Sequence, residues 1–176
     1  MSSCCADDSC DVSTQAAESC FLCGARGVAV DRITLKALLT GDALRRGIPP
    51  NPRFCATPRC SVVYFDAEAG VQFTEIDLIV PVHAKRPGDP DVPVCYCFGA
   101  TPRSIAEEIG RTGASSAFRE IAAEVKAGHC ACEVRNPKGS CCLGDVARIE
   151  KEALSGNTTG REDAGVSDSA VAEGTR

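Results

Sequence analysis

Cys55-Ala-Thr-Pro-Arg-Cys60-Ser-Val-Val-Tyr-Phe65 decides how the first half of this chain is read: two thiols four residues apart lead into a β-branched and aromatic run. Such a run has strand composition. Asp66 to Gly70 is turn-rich and Val71-Gln-Phe-Thr74 is again strand-like, so a hairpin is expected between Ser61 and Thr74. Ile76-Asp-Leu-Ile-Val80 reads as a further strand, whereas Thr34-Leu-Lys-Ala-Leu-Leu39 fits either a short helix or a strand. Upstream, Cys20-Phe-Leu-Cys23-Gly24 is a C-x2-C-G knuckle, in which two intervening residues let both sulfurs face one ion and Gly lets the backbone turn. Cys55 and Cys60 supply a second pair, and four thiolates favour zinc over hard cations. Zinc at Cys20, Cys23, Cys55 and Cys60 would be structural, because four protein ligands leave no open position.

The composition explains why a metal is needed. The 176 residues include no Trp, two Tyr and six Phe but thirteen Cys. Two small domains with so few aromatics are marginal on burial alone and draw on disulfides or metals. The first fifteen residues lack the basic start and apolar run of a secretory signal, so a cytoplasmic location is expected, where closely spaced thiols stay reduced and bind metal. No stretch approaches 18 consecutive apolar residues, so no membrane span is expected. A net charge of −5 argues against a nucleic-acid partner, which needs clustered Lys and Arg.

Lys85-Arg-Pro-Gly-Asp-Pro-Asp-Val-Pro93 has linker composition and sets a boundary near residue 88. The expected organisation is a Cys-containing disordered tail over 1–18, a zinc-binding β-rich module over 19–87, a helical module over 88–155 and a disordered tail over 156–176. In the helical module Thr101-Pro102 caps a helix carrying Ile105 and Ile109. Ser115 opens a second, with Phe118, Ile121, Ala122 and Val125 on one face and Gly128 as its stop. A third follows Cys142, with Val146, Ile149 and Leu154 facing inward and Gly156 ending it.

Val94-Cys95-Tyr96-Cys97-Phe98-Gly99 stands before these helices, and Cys130, Cys132, Cys141 and Cys142 follow the second one. Loop cysteines gathered at one end of a helical bundle, beside free N–H groups, suit an anionic iron–sulfur cluster. Spacing leaves open which of the later thiols take part. His129 reads as a surface residue, since a Rieske-type site needs a second His.

The C-x-C start with a later Cys pair resembles the bacterioferritin-associated ferredoxin fold, a helix-turn-helix module that holds [2Fe-2S]. The segment Cys132-Glu-Val-Arg-Asn-Pro-Lys-Gly-Ser-Cys-Cys142 departs from that ferredoxin in spreading the later pair. Together with the knuckle, Cys60-Ser-Val-Val-Tyr-Phe65 and Val94-Cys-Tyr-Cys97, it is similar to the N-terminal domain of CopZ-type copper chaperones, iron–sulfur-binding metallochaperones. The resemblance spans roughly Cys20 to Leu154. It implies an α+β fold, a β-rich zinc module followed by a ferredoxin-like helical module, and a [2Fe-2S] cluster on Cys95, Cys97, Cys132 and Cys142. Cys142 is preferred over Cys141 because it opens the third helix. Cys130 competes with Cys132.

The resemblance further implies a metallochaperone-like protein whose cluster is a one-electron centre in handling copper or another soft metal, with a metal transporter or redox protein as partner. In that family a Met-x-Cys-x-x-Cys loop holds Cu(I), and here the one Met is Met1. Cys4, Cys5 and Cys10 are candidates for collecting the ion instead. Two alternatives are a ferredoxin-like electron carrier and a structural zinc-ribbon interaction module with a second zinc. No catalytic residues are expected: His83 and His129 stand in unrelated contexts, and Glu107-Glu108 reads as a solvated helix face. The chain is not expected to be an enzyme.

Overall fold

The computed structural model describes residues 17–158; Cys4, Cys5, Cys10 and most of both expected tails lie outside the described residues. Four short antiparallel strands, β1 (Val28–Ala29), β2 (Arg53–Phe54), β3 (Val62–Asp66) and β4 (Val71–Thr74), lie side by side in that order. The hairpin expected between Ser61 and Thr74 is β3 and β4. All five residues of β3 are buried, because the strand is covered on both faces. A register irregularity between Val62 and Tyr64 re-aims the side chains. Val62 and Phe65 then pack with Cys20, Cys55 and Cys60, while Val63 and Tyr64 enter the main core.

That main core is roofed by α1 (Arg32–Leu38) and α2 (Gly41–Arg45). The ambiguous segment at Thr34 is helical because the Asp31 carboxylate accepts from Ile33 N at 2.9 Å and caps it. Leu35 and Leu39 then meet Ala43, Phe54, Phe73 and Val82. The strand expected over Ile76–Val80 does not form. Asp77 Oδ2 accepts from Thr74 N at 2.8 Å and closes a 3-10 turn over Glu75–Asp77, leaving Ile76 and Ile79 exposed and Leu78 buried. Local side-chain bonding to the backbone here outcompetes an extended ladder.

The remaining helices are α3 (Pro102–Thr112), α4 (Ala117–Lys126), α5 (Cys132–Arg135) and α6 (Leu143–Thr158). Thr101 caps α3 by accepting from Ser104 N at 3.1 Å, with Pro102 in the first turn. Gly113 ends it at φ 82°. Ile105 and Ile109 join Val94, Cys95, Ile121, Cys142 and Val146 in a second core. Two inward assignments are corrected: Phe118 is 40% and Leu154 41% exposed. In α6 the buried stripe runs Val146, Ile149, Ala153, the i, i+3, i+7 positions, and Leu154 falls beyond it. The helix also passes Gly156, expected as its stop, and runs to Thr158; one interior Gly costs about 1 kcal/mol and does not by itself end a helix.

Residues 85–93 have linker composition, yet they are held against the protein. Val92 is buried, and Arg103 donates from its backbone to Pro90 O at 2.9 Å and pairs with Asp91. The whole is an α+β architecture in which α1 packs on α5.

Candidate metal centre

Cys20 and Cys23 stand on a closed turn: Gly24 N donates to Cys20 O and Cys20 N to Ala25 O, each at 2.9 Å. Gly24 has φ 70°, which a side chain would disfavour. Glu18 pairs with both Arg26 and Arg53, and Arg53 Nη1 donates to Gly27 O at 3.0 Å, so the knuckle is fastened to β2. Cys55 follows β2 directly, its N donating to Val63 O at 2.9 Å, and Cys60 closes a turn on Thr57 O before β3.

This brings four sulfurs together. Cys20 and Cys60 are 3.8 Å apart and Cys23 and Cys55 3.6 Å, and all four lie within 4.8 Å of one another. A tetrahedral zinc with Zn–S of about 2.3 Å requires sulfurs about 3.8 Å apart. The donor set therefore fits zinc. Cys20, Cys55 and Cys60 are buried and Cys23 is exposed, so one member of the set sits at the surface. Burial pushes the Cys60 thiol up to about 12 and raises Cys20 as well. Contact with the Thr57 hydroxyl, 3.5 Å away, brings Cys23 down to about 6. Zinc binding at this set would release protons from the thiols, which would couple its affinity to pH.

The later cysteines divide differently. Cys97 Sγ and Cys132 Sγ are 3.9 Å apart, while Cys95 bonds to Cys142. Hydrogen bonding from Cys142, with the N–H groups of Phe98 and Cys97, lowers Cys95 to about 6; the same bond to Cys95, together with burial, raises Cys142. Ala131 N donates to Cys97 Sγ at 3.3 Å. Cys132, mainly through burial, is pushed up to about 12. Cys95, Cys132 and Cys142 are buried, Cys97 and Cys130 are intermediate and Cys141 is exposed. Among the described residues, the first cysteine set is the group whose ligating atoms all converge within 4.8 Å. The second set does not converge in this way: Cys97 and Cys132 face each other, Cys95 and Cys142 lie together in the second core, and Ala131 N–H supplies a peptide donor at Cys97.

His129, exposed, pairs with Glu124. Glu108 binds Ser115 and Ser116 across the α3–α4 turn. Motif spacing did not point to Thr57, Tyr64, Tyr96 or Lys85. Their roles depend on contacts between residues distant in sequence, and the one local hint is the position of Tyr96 inside the C-x-C pair.

A cysteine-lined, zinc-competent α+β metal-binding domain is the class that fold and site define. The family model for the CopZ zinc binding domain matches residues 17–79. The copper chaperone CopZ of Archaeoglobus fulgidus is 33% identical over 96 residues, 54% of this chain and 44% of that protein, so the match spans less than half of the relative. The crystal structure of the Archaeoglobus fulgidus CopZ N-terminal domain superposes with a TM-score of 0.62 at 30% identity, over 74% of this chain and 96% of that domain. The chain belongs to the CopZ family, as a counterpart of its N-terminal domain.

Proposed function

We propose that this chain is a metallochaperone-like protein with structural zinc on Cys20, Cys23, Cys55 and Cys60 and a [2Fe-2S] cluster on Cys95, Cys97, Cys132 and Cys142. The observation that carries the reading is the geometry of the second set: Cys97 Sγ lies 3.9 Å from Cys132 Sγ and accepts from Ala131 N at 3.3 Å, while Cys95 and Cys142 are buried together in the second core. Peptide donors aimed at thiolate sulfur offset the negative charge of an iron–sulfur unit and tune its potential. Two separated pairs suit two irons, whereas a single zinc needs one converging tetrad.

A bound cluster supplies one electron at a time. A copper ion arriving as Cu(II) would be the substrate reduced to Cu(I), with a separate electron-donor protein as the source of the electron. The chain's own residues make the site accessible at one edge: Cys97 is part-exposed and Phe98 is 39% exposed, while Cys95, Cys132 and Cys142 are shielded. Similarity to a protein named a copper chaperone favours copper as the handled ion. The role is transfer rather than catalysis, with a transporter or redox protein as partner. Domain limits of 19–87 and 88–155 accord with the two separate cores.

The test is anaerobic purification from iron-supplied cells, followed by visible absorption and assay of iron, acid-labile sulfide and zinc. About two iron, about two sulfide and about one zinc per chain are expected. A colourless protein with a second zinc would select the zinc-ribbon alternative. A coloured protein that reduces a partner but neither binds nor reduces copper would select the electron carrier.

A further inference from the structure

We propose that Thr34, Tyr64 and Tyr96 are positioning residues for the second cysteine set, fixing its two ligand-bearing loops to the first half of the fold. The inference rests on the reading of that set as a cluster site and deepens it. Thr34, fully buried in α1, donates from Oγ1 to Glu133 O at 2.6 Å, one residue beyond Cys132. Tyr64, fully buried in β3, donates to Pro137 O at 2.8 Å, midway between Cys132 and Cys142. Tyr96, between Cys95 and Cys97, reaches the opposite way. Its hydroxyl donates to Pro81 O and accepts from His83 N, both at 2.9 Å.

The loop from Cys132 to Cys142 has its own internal bonds. Asn136 Nδ2 donates to Ser140 O at 2.8 Å, Lys138 N to Asn136 Oδ1 at 3.0 Å and Gly139 N to Asn136 O at 2.7 Å. These set the loop's shape; the two hydroxyls from α1 and β3 set where that shape sits relative to Cys95 and Cys97. The loop also passes tightly over α1, since a Cβ on Gly139 would lie 3.0 Å from Thr34 Oγ1.

The same contacts lead back to the zinc-competent site. Thr57, which touches Cys23 Sγ, accepts through its carbonyl from Lys85 Nζ at 2.9 Å. Lys85 ends the 3-10 turn that begins at His83, the donor to Tyr96. Tyr64 lies on the strand into which Cys60 leads. A line of contacts thus runs from Thr57, beside Cys23, to Tyr96, and the strand that follows Cys60 carries Tyr64.

The experiment uses the full chain, zinc-loaded and iron-free, with Thr34→Val, Tyr64→Phe and Tyr96→Phe, and with Thr34→Ser as the variant that keeps the hydroxyl. Alkylation rates of individual cysteines are mapped by mass spectrometry. Loss of one buried hydroxyl bond is expected to raise reactivity about ten-fold, at Cys132 and Cys142 for Thr34→Val and Tyr64→Phe, and at Cys95 for Tyr96→Phe. Cys20, Cys55 and Cys60 should stay protected and Thr34→Ser should match wild type. In iron-loaded protein the same variants should release iron faster to a chelator and shift the midpoint potential. Unchanged rates overturn the proposal, as does a uniform rise at all buried cysteines, which marks general loosening. A wild-type chain that takes up no iron would count against the cluster reading alone, because the alkylation pattern still decides the positioning role.

Discussion

Gly27 lies against the ring of Phe65 so closely that a Cβ on it would stand 2.5 Å from Phe65 Cζ and 2.8 Å from Arg53 Cβ. Phe65 is fully buried in the cluster that walls Cys20, Cys55 and Cys60, so its ring has little room to give. Gly27→Ala is expected to cost about 1–3 kcal/mol through overpacking and to hasten zinc release. Gly110, in α3 with open space around it, is the control. Gly110→Ala should stabilise by about 0.5–1 kcal/mol. Denaturant unfolding with a zinc-release dye measures both.

Cys132 and Cys130 differ by two residues in sequence and sharply in setting. Cys132 is 7% exposed and faces Cys97, whereas Cys130 is part-exposed; Cys142 is 1% exposed beside an exposed Cys141. Serine at Cys132 or Cys142 should abolish iron uptake, and serine at Cys130 or Cys141 should leave it at the wild-type level. Elemental analysis of the four variants checks the assignment. Iron retained by Cys132→Ser and lost by Cys130→Ser would reassign the ligand.

Burial works against the Asp77 carboxylate, yet Thr74 N–H and the Arg46 guanidinium, 2.6 Å away, more than offset it and hold its carboxyl below the ordinary 3.8. The folded value lies below the unfolded one, so its contribution is complete above the unfolded value and is lost as pH falls through the folded one. Asp77→Asn should therefore destabilise by about 1–2 kcal/mol at neutral pH. The gap to wild type should narrow below a pH of about 4. Unfolding of both proteins across pH, in matched metal states, tests the sign.

Val146 and Leu154 lie on one helix with opposite fates. Val146 is fully buried beside Cys95 and Cys142, and Val146→Ala should cost about 2 kcal/mol. Leu154→Ser, at an exposed position, should change stability by no more than about 0.5 kcal/mol. Thermal unfolding of the two variants ranks them.

Much of the local structure was legible because its causes are local. The β3–β4 hairpin followed from its β-branched runs, and α3 from Thr101-Pro102. What failed had competing local signals. Ile76 and Ile79 look like strand residues, but Asp77 captures Thr74 N and turns the chain. Leu154 reads as inward only if the stripe is counted from Ile149 by five, and the helix prefers Ala153.

Sequence alone pointed to the knuckle, the second thiol pair and a metal held between them, because ligand spacing and a shortage of aromatic core residues are properties of the chain itself. Only the tertiary structure decided that Cys23 and Cys55 meet across 32 residues, that the second set splits into pairs, and that Tyr64 and Thr34 hold a loop about 70 and 100 residues away. Such contacts arise when buried hydroxyls and carbonyls on separate elements must satisfy one another, and no local pattern encodes that pairing.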